Sequence, residues 1–182
     1  MNPISPQDVS ALADAVRRRH RACGAGAATL AALEDHMYRV TMLVEDLSEG
    51  ESLNTLEYSL LRTAAILHDA AAAKTRPAAS PDASAALAAE MLDAVGADGD
   101  FSGAVATAIR RHGGTRLGAD AAEPETHAEQ LLHDVCLLAR IAESVATNED
   151  ELRETASALY TPTAVRMAGE MIDARAGTSI DA

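Results

Sequence analysis

Aromatic residues are almost missing from this sequence, which has no tryptophan, one phenylalanine and three tyrosines among 182 residues. Proteins that bind single-stranded nucleic acid stack the bases on aromatic rings, so this scarcity argues against that class of ligand. Basic residues are also in the minority, with 15 Lys and Arg against 28 Asp and Glu and a formal net charge of -13. An acidic surface repels phosphate backbones. We therefore expect no nucleic-acid polymer as a partner.

Long hydrophobic runs are missing as well. No apolar stretch approaches the roughly 20 residues that a membrane-spanning helix needs. The opening segment carries an acid early and a basic cluster late, which is the reverse order of a signal peptide. The two cysteines, Cys23 and Cys136, lie far apart and match no zinc-binding spacing, so we expect two reduced thiols. These absences favour a soluble, cytoplasmic protein without a membrane partner.

The sequence is rich in alanine and in helical patterns of apolar residues. Hydrophobic residues make up 48% of the chain; many are alanine, the strongest helix former, and apolar positions recur every three or four residues. We predict an all-α fold in one domain, residues 1–182, built around a core of helices. An N-terminal helix at 5–22 and C-terminal helices at 149–175 would pack on it. The alanine-rich helices would also suit the interface of a homodimer.

One stretch of this pattern contains two polar residues that do not fit a helix core. The run LLRTAAILHDAAAAK, residues 60–74, belongs to a predicted helix from about Thr55 to Ala73, yet it contains His68 and Asp69. Burying a carboxylate without a partner costs several kcal/mol or more, so a hydrogen bond, an arginine or a cation must compensate Asp69.

Other polar residues recur on apolar helices elsewhere in the chain. His36 lies on a long helix upstream, His112 ends a later helix, and Asp134 interrupts an apolar run in a helix from about Glu125 to Thr147. Two imidazoles and two carboxylates from separate helices form a mixed nitrogen and oxygen ligand set. Such a set suits one divalent ion, such as Mn, Fe, Co, Ni, Mg or Zn.

The order and spacing of these residues resemble the HD superfamily of metal-dependent phosphohydrolases over about residues 28–142. The resemblance rests on four segments: His36-x-x-Arg39-Val40, Leu67-His68-Asp69, Ile109-x-x-His112 and Asp134. It implies an HD-domain helical bundle with extra C-terminal helices. It implies one divalent metal ion held by His36, His68, Asp69 and Asp134. It also implies hydrolysis of a small phosphate ester, with a nucleotide as the expected substrate.

The chain departs from the pattern of the family in three places. Alanines 70–72 follow Asp69, where some nucleotidases carry an acid that transfers protons. Ser80 stands where members with two metals carry a further histidine. After Asp134 the chain reads Val-Cys-Leu-Leu-Ala, and two acids that are common in the family are missing. Ser80 favours one metal over two, and the missing acids leave few catalytic groups around the metal ligands.

Besides the metal ligands, three residues are candidates for contacting a bound phosphate: His112, Arg39 and Arg111. We expect Asp69 or bulk water to take the proton of the attacking water. His112, Arg39 or Arg111 would neutralise the charge that develops on the phosphoryl oxygens. Alternatives stay open for each: Arg39 can instead pair with Asp134, His112 can donate a proton to the leaving group, cap its helix or bind a second metal, and Arg111 can be a solvated helix-end charge.

The other histidines and one lysine have simpler interpretations. His20 follows three arginines at a helix end, where a solvated charge is expected, and His127 is expected on the surface. His133 is expected to be exposed or packed, and Lys74 is a weak candidate for a place near the site.

Two other functions remain open. One is a non-catalytic or regulatory metal-binding protein, and the other is a di-iron HD oxygenase, which needs six ligands.

Overall fold

The computed structural model describes residues 1–24, 26–72, 80–112, 123–144 and 148–178. In this part of the chain there are eight α-helices and no strand, so the all-α prediction is confirmed. The helices are α1 (Pro6–Ala22), α2 (Ala27–Gly50), α3 (Thr55–Leu67), α4 (Pro81–Ala94), α5 (Gly99–Arg111), α6 (His127–Glu143), α7 (Glu149–Ala156) and α8 (Pro162–Thr178).

Side-chain caps fix where several of these helices begin. Asn54 accepts hydrogen bonds from the N–H groups of Leu56 and Glu57, and the Glu57 side chain accepts one from the Asn54 N–H in return. Thr126 and Glu129 form the same reciprocal arrangement at the start of α6. Such capping boxes satisfy amide groups that have no partner within the helix. They explain why α3 begins at Thr55 as predicted and why α6 begins two residues later than predicted.

The end of α3 differs from the prediction. The helix stops at Leu67 rather than near Ala73, and His68 is its C-terminal cap residue. The chain continues as a tight turn in which Ala70 N–H donates to the Leu67 carbonyl and Ala72 N–H to the Asp69 carbonyl. The histidine and the aspartate are therefore presented by a turn at the end of a buried helix. Ala70, Ala71 and Ala72 belong to this turn and do not extend α3.

The core is built around α3, which contacts α1, α2, α4, α5 and α6. Leu61, Ala64 and Leu67 of this helix have no exposed surface, and neither has Phe101 of α5. Small side chains allow such close helix packing, which is how an alanine-rich sequence fills its interior at the density of a folded protein. The central position of α3 places its C-terminal turn among the helices that surround it.

The C-terminal helices hold the end of α6. The Arg175 guanidinium of α8 donates to the carbonyls of Ala142 and Ser144, at 2.7 and 3.0 Å. These carbonyls lie at a helix end, where they lack partners in their own helix. Ser144 is already extended, so α6 ends at Glu143 and not near Thr147. None of the helices described here combines the length and the apolarity that crossing a bilayer requires.

Candidate metal centre

Three side chains converge where the turn after α3 meets α2. His36 of α2 and His68 of the turn bring their Nε2 atoms within 3.3 Å of each other. Asp69 places its Oδ2 atom 3.7 Å from each of these nitrogens. This is the group of potential metal ligands among the described residues whose donor atoms all lie within 4.8 Å of one another. The expectation that His36, His68 and Asp69 lie together thus agrees with the geometry.

The spacing of these atoms matches the size of a coordination sphere. A circle through three atoms with separations of 3.3, 3.7 and 3.7 Å has a radius of about 2.1 Å, and ligand nitrogens and carboxylate oxygens lie at 2.0–2.2 Å from zinc. Imidazole and carboxylate ligands of this kind suit first-row divalent ions. The donor set and its spacing fit a divalent metal.

The protonation of the two imidazoles follows from what their other nitrogens contact. His36 Nδ1 lies 2.7 Å from Glu143 Oε1, and His68 Nδ1 lies 2.6 Å from the Ala65 carbonyl oxygen. Both oxygens accept hydrogen bonds, so each Nδ1 carries the proton and donates it. In the neutral form of each ring, Nε2 therefore directs a lone pair toward the other ring. Two facing lone pairs repel, and a cation beside them removes the repulsion.

The surroundings of the three ligands are apolar and narrow. Val16, Leu33, Met37 and Ile66 line a cavity of about 10 Å³ next to the two histidines and the aspartate. A space of this size holds about one water molecule. The enclosed part of the site suits an ion or a water, and a larger ligand has to approach from outside this cavity.

His20 contributes to this site from α1, which the sequence did not indicate. Its side chain is 7% exposed and its Nε2 atom lies 3.2 Å from the carbonyl oxygen of Asp69. The expectation of a solvated helix-end charge is therefore wrong. Because His20 contacts the backbone of the turn, it fixes where Asp69 is presented. The sequence did not reveal this contact, because the three arginines before His20 indicate a solvated helix end.

His112 lies beside the three ligands but is not part of the close group. Its ring is edge-on to that of His68, with centroids 5.9 Å apart, and its Nδ1 donates to the Ile109 carbonyl. Burial, followed by the neighbouring imidazole of His68, lowers the pKa of His112 to about 4. At neutral pH it is uncharged and its Nε2 accepts a hydrogen bond. A proton-donating role does not agree with this state.

Asp134 is not brought into the group, which corrects the predicted set of four ligands. Its two carboxylate oxygens accept hydrogen bonds of 2.8 Å from the backbone N–H groups of Tyr160 and Thr161. The side chain is fully buried. Burial raises the pKa of Asp134, and the two N–H groups oppose that effect. The acid that needed a partner thus finds it in the chain just before α8, and no cation is required there.

The two predicted phosphate-binding arginines both contact acids. Arg39 is 44% exposed and its Nε lies 3.6 Å from Glu143 Oε1, so it pairs with that residue and not with Asp134. Arg111 forms ion pairs with Glu125 and Glu129 at the start of α6. A role for either residue in binding substrate stays a prediction. Arg39 is the better placed of the two, because Glu143 also contacts His36.

Glu143 is the site residue that sequence reasoning missed. It lies at the last turn of α6, 107 positions after His36, and in the sequence it resembles any solvated charge on a helix. Ligating histidines commonly donate their second N–H to a carboxylate, which orients the ring and raises its basicity.

His133, expected to be exposed or packed, is buried; its Nδ1 lies 2.8 Å from the His112 carbonyl. Lys74 lies outside the described residues.

Comparisons with known proteins support the same architecture. A family model for the HD domain matches residues 33–147, which is more than half of the chain. A crystal structure of a "predicted HD superfamily hydrolase" from an uncultured Thermotogales bacterium superposes with a TM-score of 0.64 at 19% sequence identity. The match covers 93% of this chain and 88% of that one. The comparison with curated proteins gives no match.

We predict that Glu143→Ala weakens metal binding about 10- to 100-fold, the usual effect of removing a carboxylate that orients a ligating histidine. The loss follows because His36 would no longer be held with its Nε2 lone pair toward His68. Calorimetric titration of the metal-free protein with Zn²⁺ or Mn²⁺ measures the change. Glu90→Ala removes an exposed glutamate of α4 and should leave the affinity unaltered. Equal affinity in wild type and Glu143→Ala would contradict the assignment.

We also predict a specific pH dependence of stability from His112. The unfolded chain binds a proton on this histidine below pH 6.5, whereas the folded chain binds it only below about 4. The contribution of His112 is therefore complete above pH 6.5. It falls as the pH drops toward 4, by up to about 3 kcal/mol.

Urea unfolding of the protein with chelator present, between pH 7 and 4, measures this loss. His112→Asn should lose less free energy of unfolding over that range than wild type. The exposed-site control His127→Asn should follow the wild-type profile. Parallel profiles for wild type and His112→Asn would show that His112 titrates alike in both states.

Proposed function

The chain belongs to the HD domain family, and from this premise we propose that it is a metal-dependent phosphohydrolase. Its proposed substrates are small phosphate esters, with nucleotides as the favoured class. The neighbour from the uncultured Thermotogales bacterium, described as a hydrolase, supports the general class. The geometry of His36, His68 and Asp69 supports the metal requirement.

The observation that carries the proposal is the pair of imidazole lone pairs that face each other beside a carboxylate. Both Nδ1 atoms are already hydrogen-bonded to oxygens, so both Nε2 atoms are available to the same cation. A hydrogen-bonded core network would place donors opposite acceptors. Here the two nitrogens and Asp69 Oδ2 lie within 3.7 Å of one another, and a positive ion between them would stabilise this arrangement.

The surrounding residues suggest how the site would act on a phosphate. A divalent cation bound there would lower the pKa of a water molecule and draw charge from a phosphoryl oxygen. The neutral Nε2 of His112 would accept a hydrogen bond from the attacking water and orient it. Asp69 is the residue we assign to taking the proton of that water. Arg39, exposed and next to Glu143, would donate to a phosphate oxygen as charge develops.

Charge and size favour a small substrate. With a net charge of -13, the protein attracts an anion only where a local positive charge reverses the field, and a bound metal with Arg39 beside it would do so. The enclosed cavity is only about 10 Å³, so a phosphate group would meet the ligands from outside this cavity and the rest of the ester would extend away from it. Nucleoside monophosphates and signalling nucleotides fit that description.

A second candidate is a non-catalytic metal-binding protein of the same family. It is favoured by Arg111, whose guanidinium is paired with Glu125 and Glu129 rather than left for a phosphate. The alanines after Asp69 point the same way, because they provide no further carboxylate in the turn. A di-iron oxygenase would need a second group of ligands. The described residues contain one group, and it lacks the six donors.

The proposal is tested by turnover on a panel of phosphate esters. Metal-free protein is supplied in turn with Mn²⁺, Co²⁺, Ni²⁺ or Mg²⁺ and assayed for phosphate release from nucleoside monophosphates, cyclic nucleotides and aryl phosphates. We expect metal-dependent turnover in the wild type. His68→Ala and Asp69→Ala should each lower it by at least about 100-fold, the scale seen when a group acting on the reacting atoms is removed.

The matched control is His127→Ala, which removes a histidine from the exposed start of α6. It should keep wild-type activity with every metal. A wild-type protein that binds metal stoichiometrically but hydrolyses no ester on the panel would favour the non-catalytic candidate. Activity that persists unchanged in His68→Ala would rule out this site as the source of hydrolysis.

A further inference from the structure

The helix α6 presents two different faces to the rest of the protein. Asp134 points toward the start of α8, where it accepts the N–H groups of Tyr160 and Thr161. Glu143 points toward α2, where it contacts His36. At 100° per residue, Cys136 lies about 160° around the axis from Asp134 and only about 20° from Glu143. Cys136 therefore shares the face of α6 that looks toward the metal centre.

We propose that Cys136 is the ligand that α6 contributes to the metal centre, in place of Asp134. This inference rests on the metal requirement of the proposed function, and it extends the ligand set to two histidines, one aspartate and one cysteine.

The environment of the Cys136 thiol agrees with its position on this face. The side chain is 5% exposed. Burial raises the pKa of the thiol, and the carboxylates of Asp69 and Glu143 raise it further, so its sulfur lies within the field of both site acids. Cys136 is not bound in a disulfide. In the absence of a cation it is a neutral thiol beside negative charges, and a divalent ion would convert it into a thiolate ligand.

The proposed set of four ligands favours some divalent metals over others. A thiolate favours softer ions, so zinc and cobalt are preferred over magnesium and manganese. On binding, the thiol proton passes to solvent, and the charges of one thiolate and one carboxylate balance a divalent ion. Four protein ligands complete a tetrahedral zinc shell, and zinc can expand to five ligands to take in a water or a substrate oxygen.

Binding requires a small adjustment of the cysteine. Its sulfur is not among the donor atoms that lie within 4.8 Å of one another, whereas zinc holds sulfur at about 2.3 Å. The proposal requires a change of the Cys136 χ1 rotamer, which turns the sulfur without moving the helix. The expected signature is a metal–sulfur bond that forms only when the ion is bound.

Titration of the metal-free protein with Co²⁺, followed by absorption in the near ultraviolet, tests the proposal. A thiolate ligand gives a charge-transfer band that nitrogen and oxygen ligands do not give. We expect the band to saturate at one Co²⁺ per chain in wild type, in Cys23→Ser and in Asp134→Asn. It should be lost in Cys136→Ser, which keeps the shape of the side chain but supplies no thiolate.

A second measurement needs no change at Cys136. Zinc X-ray absorption on the Cys23→Ser protein, in which Cys136 is the remaining cysteine, should show a sulfur neighbour at about 2.3 Å. Stoichiometric binding without the band and without a sulfur neighbour would overturn the role of Cys136 and leave the proposed function standing. Failure of the wild type to bind Co²⁺ or Zn²⁺ would overturn the metal centre itself.

Discussion

The structure depends on one close approach, that of the Nε2 atoms of His36 and His68 at 3.3 Å. Each ring is held from behind, His36 by a carboxylate of α6 and His68 by a carbonyl of its own helix. The rings therefore cannot turn a donor toward each other without losing a hydrogen bond. A proton can bridge the two nitrogens, whereas a divalent cation would contact both nitrogens and Asp69 Oδ2 together.

The helices around the site are packed so that they hold these two rings and Asp69 in place. α3 must end at Leu67 so that the next two residues leave the helix and turn toward α2. α1 must reach the turn so that His20 can contact the Asp69 carbonyl. α6 must end close to His36 so that Glu143 can hold its ring, and Arg175 of α8 contacts the carbonyls at that end. Elements that contribute no ligand therefore still determine the shape of the site.

The ligands on α2 and after α3 could be predicted from sequence because apolar helices made each polar residue conspicuous. A buried acid has several ways to be satisfied, however, and sequence does not tell them apart. Asp69 faces two imidazoles, whereas Asp134, equally conspicuous in its apolar run, accepts two backbone N–H groups before α8. That partnership depends on residues 26 and 27 positions later, and nothing near Asp134 in the sequence indicates that they return to it. Glu143 and His20 could not be recognised as site residues from the sequence. Each lies near a helix end, where charged side chains are ordinarily solvated and do not stand out.

The most direct test of the central claim is anomalous diffraction from crystals of the metal-loaded protein, with data collected at the absorption edge of the bound ion. The account predicts one peak at about 2.1 Å from the Nε2 atoms of His36 and His68 and from Oδ2 of Asp69. A peak beside Asp134, or metal-loaded crystals in which these three atoms enclose only water, would contradict it.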